Sequence, residues 1–240
     1  MSTADMPGSA PRYRSLSVIV PVYNERNTVA EVVRRMRAVE LPLEREIVVV
    51  DDGSTDGTRQ VLAQLADSTV HVVLHDRNQG KGAAVRTGLA QVTGDLVLIQ
   101  DADLEYDPDD WPKLLAPALK GRARVVYGSR FTGERRNMLF AHWVGNRFLS
   151  LVTNVLYNTT LSDMETCYKL FDRELIAQIK LRASGFDFEP EVTAKILRRG
   201  VRIYEVPISY SGREFDEGKK ITWHDGLVAL RTLIKYRFIE

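Results

Sequence analysis

The sequence predicts an α/β fold in a single domain, with a mostly parallel sheet carrying helices on both faces. Three observations support it. Short, β-branched apolar runs alternate with stretches of helical apolar spacing, which is the pattern of βαβ crossovers. Each of the first four runs gives way within two residues to Asn or Asp, where the chain must turn. With 240 residues, 44% hydrophobic and 27% charged, the chain can bury one full core.

Residues 16–23 read as a buried strand with Pro21 near its end, and 24–27 as a loop into a helix that places Val29, Val32, Val33 and Met36 on one face. Residues 46–50 form a second buried strand that runs into Asp51-Asp52-Gly53-Ser54-Thr55-Asp56-Gly57, a sharp turn. Thr55 or Asp56 is placed to cap the helix carrying Val61, Leu62 and Leu65. A third strand at 70–74 leads through Asn78-Gln79-Gly80-Lys81-Gly82 into a helix with Ala83, Val85 and Leu89, and the fourth strand, 96–99, follows Gly94. Beyond residue 110 the alternation loosens. A helix at 111–119, a short strand at 124–127 and a basic loop precede a long apolar helix at 140–157. Strands near 166–171 and 202–206 and a last helix at 223–238 complete the body. Residues 1–14, rich in Pro, Ser and Ala, are expected to be a disordered tail, and 15–240 the folded domain.

Composition bounds the function. Cys167 is the only cysteine, so neither an intramolecular disulfide nor a cysteine-rich metal cluster is available, and a reducing, cytoplasmic setting fits. The N-terminal residues lack the apolar core of a signal peptide, and no run approaches the roughly 18 apolar residues of a spanning helix, so any membrane contact is expected to be peripheral. A net charge of +1 gives no basis for a nucleic-acid partner. Its distribution is uneven. Seven acids and no Lys or Arg lie between Asp95 and Asp110, whereas 120–147 holds seven Lys or Arg against Glu134 alone. An acidic and a basic wall facing each other is one reading; solvated faces is the other.

In parallel sheets ligands bind beyond the carboxyl ends of the strands, where 21–24, 51–52, 76–81 and 101–105 all fall. Asp101 and Asp103, one residue apart, can converge on a hard cation such as Mg²⁺ or Mn²⁺, with Glu105 as a third ligand. The same acids also suit loop and cap roles. In Asp51-Asp52 a carboxylate, Asp52 first, can accept hydrogen bonds from a ribose or base, while Gly53 and Gly57 serve the turn. Gly80-Lys81-Gly82 at a helix start suggests a phosphate cradle with Lys81 on the substrate, although the P-loop spacing is lacking. No G-x-G-x-x-G follows a strand.

Taken together and in this order, Val20-Pro21-Val22-Tyr23-Asn24-Glu25, Val50-Asp51-Asp52-Gly53-Ser54-Thr55-Asp56, Asn78-Gln79-Gly80-Lys81-Gly82, Asp101-Ala102-Asp103-Leu104-Glu105 and Gly128-Ser129-Arg130 resemble the inverting glycosyltransferases of family 2, of the dolichyl- or polyprenyl-phosphate sugar synthase type. The resemblance implies the GT-A fold, a Rossmann-like sheet whose residues 15–110 hold nucleotide and metal and whose residues 111–240 face the acceptor. It implies that Pro21, Tyr23, Glu25 and Asp52, with Asp51 beside it, line a nucleotide pocket, that Asp101, Asp103 and Glu105 organise Mg²⁺ or Mn²⁺, and that Arg130 lies near the acceptor phosphate. Residues 162–169 look like the acceptor-side segment, and Arg213 with Gly218-Lys219-Lys220 like a basic loop over the site.

The implied reaction moves a hexose from a nucleotide sugar, GDP-mannose or UDP-glucose, to a polyprenyl or dolichyl phosphate. A phosphate monoester with a second pKa near about 6 is largely dianionic at neutral pH and attacks without a strong base. It needs cations to approach a charged donor, and Arg130, Arg213, Lys219 and Lys220 are the candidates. A sugar hydroxyl as acceptor would instead require a carboxylate base, Asp163 or Glu165. Asp163 also suits a turn cap, and Glu165 a pair with Lys169. A non-catalytic nucleotide-sugar-binding subunit is the third alternative. The apolar 140–157 segment, flanked by Arg135, Arg136 and Arg147, suits either docking at the cytoplasmic face of a membrane or core packing, and a membrane-protein partner is compatible with the first. The lone His142 and His224 are assigned no role.

Overall fold

A computed structural model describes residues 12–136, 138–212 and 223–239. Its strands are β1 (Ser15–Val22), β2 (Glu44–Asp51), β3 (Val70–Leu74), β4 (Leu96–Ile99), β5 (Val125–Ser129), β6 (Lys169–Asp172) and β7 (Tyr204–Pro207). Its helices are α1 (Val29–Ala38), α2 (Thr58–Leu65), α3 (Lys81–Leu89), α4 (Trp111–Leu119), α5 (Phe140–Tyr157), α6 (Arg173–Ala177), α7 (Phe188–Arg198) and α8 (Trp223–Phe238).

One sheet runs in the order β3-β2-β1-β4-β6-β5-β7. β6 is antiparallel to both β4 and β5, and the other pairings are parallel. The expected mostly parallel α/β sheet is therefore observed, with β6 as the reversed strand that joins the two halves of the chain. The β-branched run in β2 shows why both faces carry helices. Ile47 and Val49 enter the main core, while Val48 and Val50 pack with Ala84 of α3 on the other side. Burial of each such side chain contributes about 1.5–3 kcal/mol. Small residues let α3 approach closely, because a Cβ at Gly88 would press into the side chain of Ile19 in β1. A separate cluster of Leu149, Met164, Ala194, Leu233 and Tyr236 fixes α5, α7 and α8 to one another.

Residues 12–14 differ from the expected disordered tail. Tyr13 is buried with its hydroxyl donating to Asp172 (2.9 Å), and the Arg14 amide donates to Asp95 (2.7 Å). Burial, then the hydrogen bond to Asp172, raises the Tyr13 hydroxyl pKa to about 12. Helix α2 starts after Gly57, in a left-handed conformation (φ 102°), yet the expected cap Asp56 still accepts the Thr58 amide at 3.0 Å. Helices α6 and α7 lie where the sequence showed no clear period. Asp172, accepting the Leu175 amide (2.9 Å), caps the first of them.

Candidate active site

The carboxyl ends of β1, β2 and β4 open into a cleft of about 980 Å³. Pro21, Tyr23 and Glu25 line it from the end of β1, Asp52 from β2, Lys81 from α3, and Asp101, Asp103 and Glu105 from the segment after β4. Arg130, Glu165, Glu189 and Tyr210 also line it, Tyr210 against Glu105 and Glu189 against Lys81, and Met138 and Leu139 before α5 and Leu149 in its middle add apolar lining. Ten of the sequence-predicted site residues are thus brought together: Pro21, Tyr23, Glu25, Asp52, Lys81, Asp101, Asp103, Glu105, Arg130 and Glu165.

The acid segment departs from the simple strand alternation. β4 stops at Ile99, and Gln100 turns inward, its amide oxygen accepting from Trp111 Nε1 (3.0 Å) and the Tyr168 hydroxyl (2.6 Å) while its Nε2 donates to the Asp101 carbonyl (3.0 Å). Leu104 then adopts φ 62°, an unfavourable region for a leucine that marks a backbone held in place by its surroundings. Asp103 accepts the Glu105 amide (3.2 Å), and Glu105 accepts the Tyr210 hydroxyl (2.7 Å). Burial, then the charge of Glu105, holds that hydroxyl protonated, well above its usual range.

Three carboxylates on one cleft are the right donors for a hard divalent cation. Among the described residues, however, no three acidic, His or Cys side chains are already gathered at metal distance. Asp101 instead holds Lys81 Nζ at 2.9 Å, and the same ammonium reaches Glu189 at 2.9 Å. Burial works against the Lys81 charge, but Asp101 and Glu189 outweigh it and keep the ammonium protonated. The donors fit the cation in kind and share the cleft, and each has an internal partner: Asp101 the Lys81 ammonium, Asp103 the Glu105 amide and Glu105 the Tyr210 hydroxyl.

Four expectations are corrected. Asp51, the last residue of β2, points away from the cleft and is fully buried, accepting from Arg59 Nε (2.8 Å) and the Ser54 amide (3.2 Å). It is a structural anchor rather than a substrate ligand. Gly80-Lys81-Gly82 is no phosphate cradle. Gly80 has φ 94° and, like Gly82, leaves no room for a Cβ against 183–185, and the Gly82 and Ala83 amides donate to the Gly185 and Ser184 carbonyls (3.2 and 3.0 Å). Asp163 is fully buried, with Oδ2 on Arg130 Nε and Oδ1 on an Arg130 terminal nitrogen, both at 2.7 Å, and also accepts the Arg130 amide (3.0 Å). A carboxylate so engaged is not available as a base. The basic wall is not assembled either. Of the seven cations in 120–147, Arg130 and Arg136 line the cleft, Arg124 pairs with Asp172 (2.9 Å), and Arg135 donates to the carbonyls of Arg130 and Phe131. Arg213, Lys219 and Lys220 lie outside the described residues.

Arg130 reaches the cleft already paired. Asp163 outweighs the burial that opposes its charge, Tyr210 covers it (5.3 Å to the ring centre), and Asn146 of α5 accepts from it (3.1 Å). Asp52 is also committed: it accepts from His75 Nδ1 (2.7 Å) and from the Gln79 and Gly80 amides (2.9 and 2.7 Å), so it shapes the 78–80 loop. Glu165 stands apart. Its Oε1 is buried without a hydrogen-bond partner among the described residues, and burial, then the charge of Glu189, raises its pKa to about 8. Lys169, four residues on, donates to the Met164 carbonyl (2.9 Å) and the Thr166 carbonyl instead of the expected Glu165.

Sequence reasoning missed Glu189, His75 and Tyr210. Glu189 sits in the first turn of α7, in a segment with no motif, and His75 follows β3 with no neighbouring ligand spacing.

With this geometry in view, comparison with known proteins is specific. The family model described as Glycosyl transferase family 2 matches residues 17–180. Glycosyltransferase AglJ of Haloferax volcanii is 32% identical over 205 residues, and an undecaprenyl-phosphate 4-deoxy-4-formamido-L-arabinose transferase of Klebsiella pneumoniae is 30% identical over 217. The matches cover 85% and 87% of this chain but 65% and 63% of those proteins, so the chain spans just under two thirds of each. Among solved structures, glucosyl-3-phosphoglycerate synthase of Mycobacterium tuberculosis, in complex with Mn²⁺, UDP and glucosyl-3-phosphoglycerate, superposes with a TM-score of 0.74 at 22% identity, covering 99% of this chain and 88% of that one. Mannosyl-3-phosphoglycerate synthase of Rubrobacter xylanophilus gives 0.74 at 22% identity, over 92% and 73%. These two likenesses establish the shared fold.

Proposed function

From the premise that the chain belongs to glycosyltransferase family 2, we propose that it transfers a hexose from a nucleotide sugar to a polyprenyl phosphate. One observation carries the reading: one cleft is lined both by the acids Asp101, Asp103 and Glu105 and by the apolar Met138, Leu139 and Leu149. That lining suits a charged donor and a lipid-borne phosphate in the same cleft. The names of the curated relatives include an undecaprenyl-phosphate sugar transferase, which supports the acceptor class. Mg²⁺ or Mn²⁺, held by Asp101, Asp103 and Glu105, would stabilise the leaving nucleoside diphosphate as a Lewis acid.

The remaining work falls to this chain's own side chains. Pro21, Tyr23, Glu25 and the loop braced by Asp52 form the wall for the nucleoside. Arg130 and Arg136 face the position for an acceptor phosphate, which arrives already ionised and needs no base. The outer side of α5 exposes Phe140, Val144, Phe148, Leu151 and Val155 beside that lining, as a membrane-surface helix would, and Arg135, Arg136 and Arg147 add positive charge there. No helix among the described residues is long and apolar enough to cross a membrane. We place the reaction at the cytoplasmic face of a membrane, with peripheral contact through α5.

A second reading, a sugar hydroxyl as acceptor, is favoured by Glu165, a cleft carboxyl with a pKa raised to about 8 and therefore a competent base. Incubation with labelled UDP-glucose or GDP-mannose and polyprenyl phosphate, followed by counting of the organic phase, separates the readings. Label moves to lipid under the first and only to added saccharide under the second, and a purely binding subunit moves none. Asp103→Ala is expected to abolish transfer.

A further inference from the structure

We propose that Lys81 is the gatekeeper of the metal site: an internal ammonium that occupies Asp101 until a nucleoside diphosphate gives it another partner. The inference rests on the proposed donor and metal chemistry. Lys81 Nζ lies 2.9 Å from Asp101 Oδ1 and 3.3 Å from Oδ2, so it covers both oxygens of the carboxylate on which a cation depends. It is held there from the other side by Glu189, 2.9 Å away, whose own side chain is nearly inaccessible.

The chain builds this arrangement deliberately. Lys81 is the first residue of α3, and the helix start is locked by the close contact of Gly80 and Gly82 with 183–185, the segment leading into α7 and Glu189. Ammonium and counter-anion are therefore fixed relative to each other by backbone packing, and the flexible partner is the lysine side chain.

A divalent cation and an ammonium cannot share one carboxylate at these distances without strong repulsion. A cation arriving alone must push Lys81 off Asp101 with only Glu189 left to receive it. A nucleoside diphosphate arriving with the cation supplies new oxygens for the ammonium, and the exchange becomes nearly even. Lys81 thereby couples cation binding to nucleotide binding. Glu189 keeps the displaced lysine from leaving the cleft.

The test is equilibrium Mn²⁺ binding, read as free Mn²⁺ by electron paramagnetic resonance, with and without UDP or GDP. In the intact chain Mn²⁺ alone is expected to bind weakly, and nucleotide to tighten it. Lys81→Met should bind Mn²⁺ without nucleotide at least about tenfold more tightly, the direction expected when a charge some 4 Å away is removed. The nucleotide enhancement should shrink in parallel. Glu189→Gln, which leaves Lys81 leaning on Asp101 alone, should weaken Mn²⁺ binding without nucleotide. Circular dichroism confirms that each variant is folded. If Lys81→Met binds Mn²⁺ no better than the intact chain while Asp101→Asn abolishes binding, the gatekeeper role is overturned and the metal site stands. If Asp101→Asn and Asp103→Asn leave Mn²⁺ binding unchanged, the metal site itself is misplaced and the inference falls with it.

Discussion

Replacing Asp163 by Asn separates a structural anchor from a catalytic base. Asp163 and Arg130 form a bidentate pair with both contacts at 2.7 Å, and their side chains are 0% and 9% exposed. With charge centres roughly 4 Å apart and an effective dielectric of about 20, the attraction is about 4 kcal/mol. Asparagine keeps the shape and one acceptor but removes the charge, so the buried Arg130 guanidinium loses its counter-ion and keeps neutral partners such as Asn146 and the Tyr210 ring. Breaking one side of a buried pair costs about 3–5 kcal/mol, and for a chain of this size each kcal/mol lowers Tm by about 2–4 °C. Urea unfolding of Asp163→Asn should therefore show a loss of about 3–5 kcal/mol, and the double variant Arg130→Met with Asp163→Leu should recover more than half of it, since no unpaired charge remains. An Asp163→Asn protein within about 1 kcal/mol of the parent would refute this reasoning.

Three further outcomes are expected. Gly80→Ala forces a side chain into φ 94° and against the Ser184 carbonyl, and urea unfolding should show a loss of at least about 2 kcal/mol. Burial, then the charge of Glu189, pushes the Glu165 pKa from its ordinary 4.5 up to about 8, so the folded state holds the proton more tightly. Its contribution to stability is complete below pH 4.5 and is lost as the pH rises through 8; Glu165→Gln should flatten the parent's decline across that window, measured by unfolding at successive pH values. Replacing Phe140, Phe148 and Leu151 together by Ser should abolish sedimentation with anionic vesicles while changing stability by less than about 0.5 kcal/mol per site, since all three are more than half exposed. Loss of folding instead would mean that α5 is a core element.

The first four strands and their acid-bearing ends could be read directly because their cause is local: an apolar run followed by a turn residue. The same local rule also held an unused clue. Asp51 and Asp52 are adjacent at a strand end, so they point to opposite sides, and only Asp52 could reach the cleft. Other features depend on contacts between distant parts of the chain. β6 runs antiparallel because it pairs with both β4 and β5, a choice that no short stretch encodes. Glu189 lies 88 positions after Asp101, and only the fold brings Lys81 between them. The apolar face of α5 was visible as composition, but which side would be left exposed depended on where α7 and α8 packed.

The charge map of the cleft changes what ligand binding must accomplish. The sequence allowed two readings of its charge runs, an acidic wall facing a basic one or solvated faces. The fold instead pairs Lys81 with Asp101 and Arg130 with Asp163. A ligand phosphate that takes either cation must first separate it from a carboxylate, so only the difference between the old pair and the new one contributes to affinity. A lone phosphate gains little by such an exchange, because it leaves an uncompensated acid behind. On the proposed assignment a metal-bound diphosphate would gain more, since the cation would satisfy Asp101 as the phosphate satisfied Lys81. The pairing would then favour the complete donor over its fragments, with discrimination arising from the internal ion pairs rather than from added contacts to the ligand.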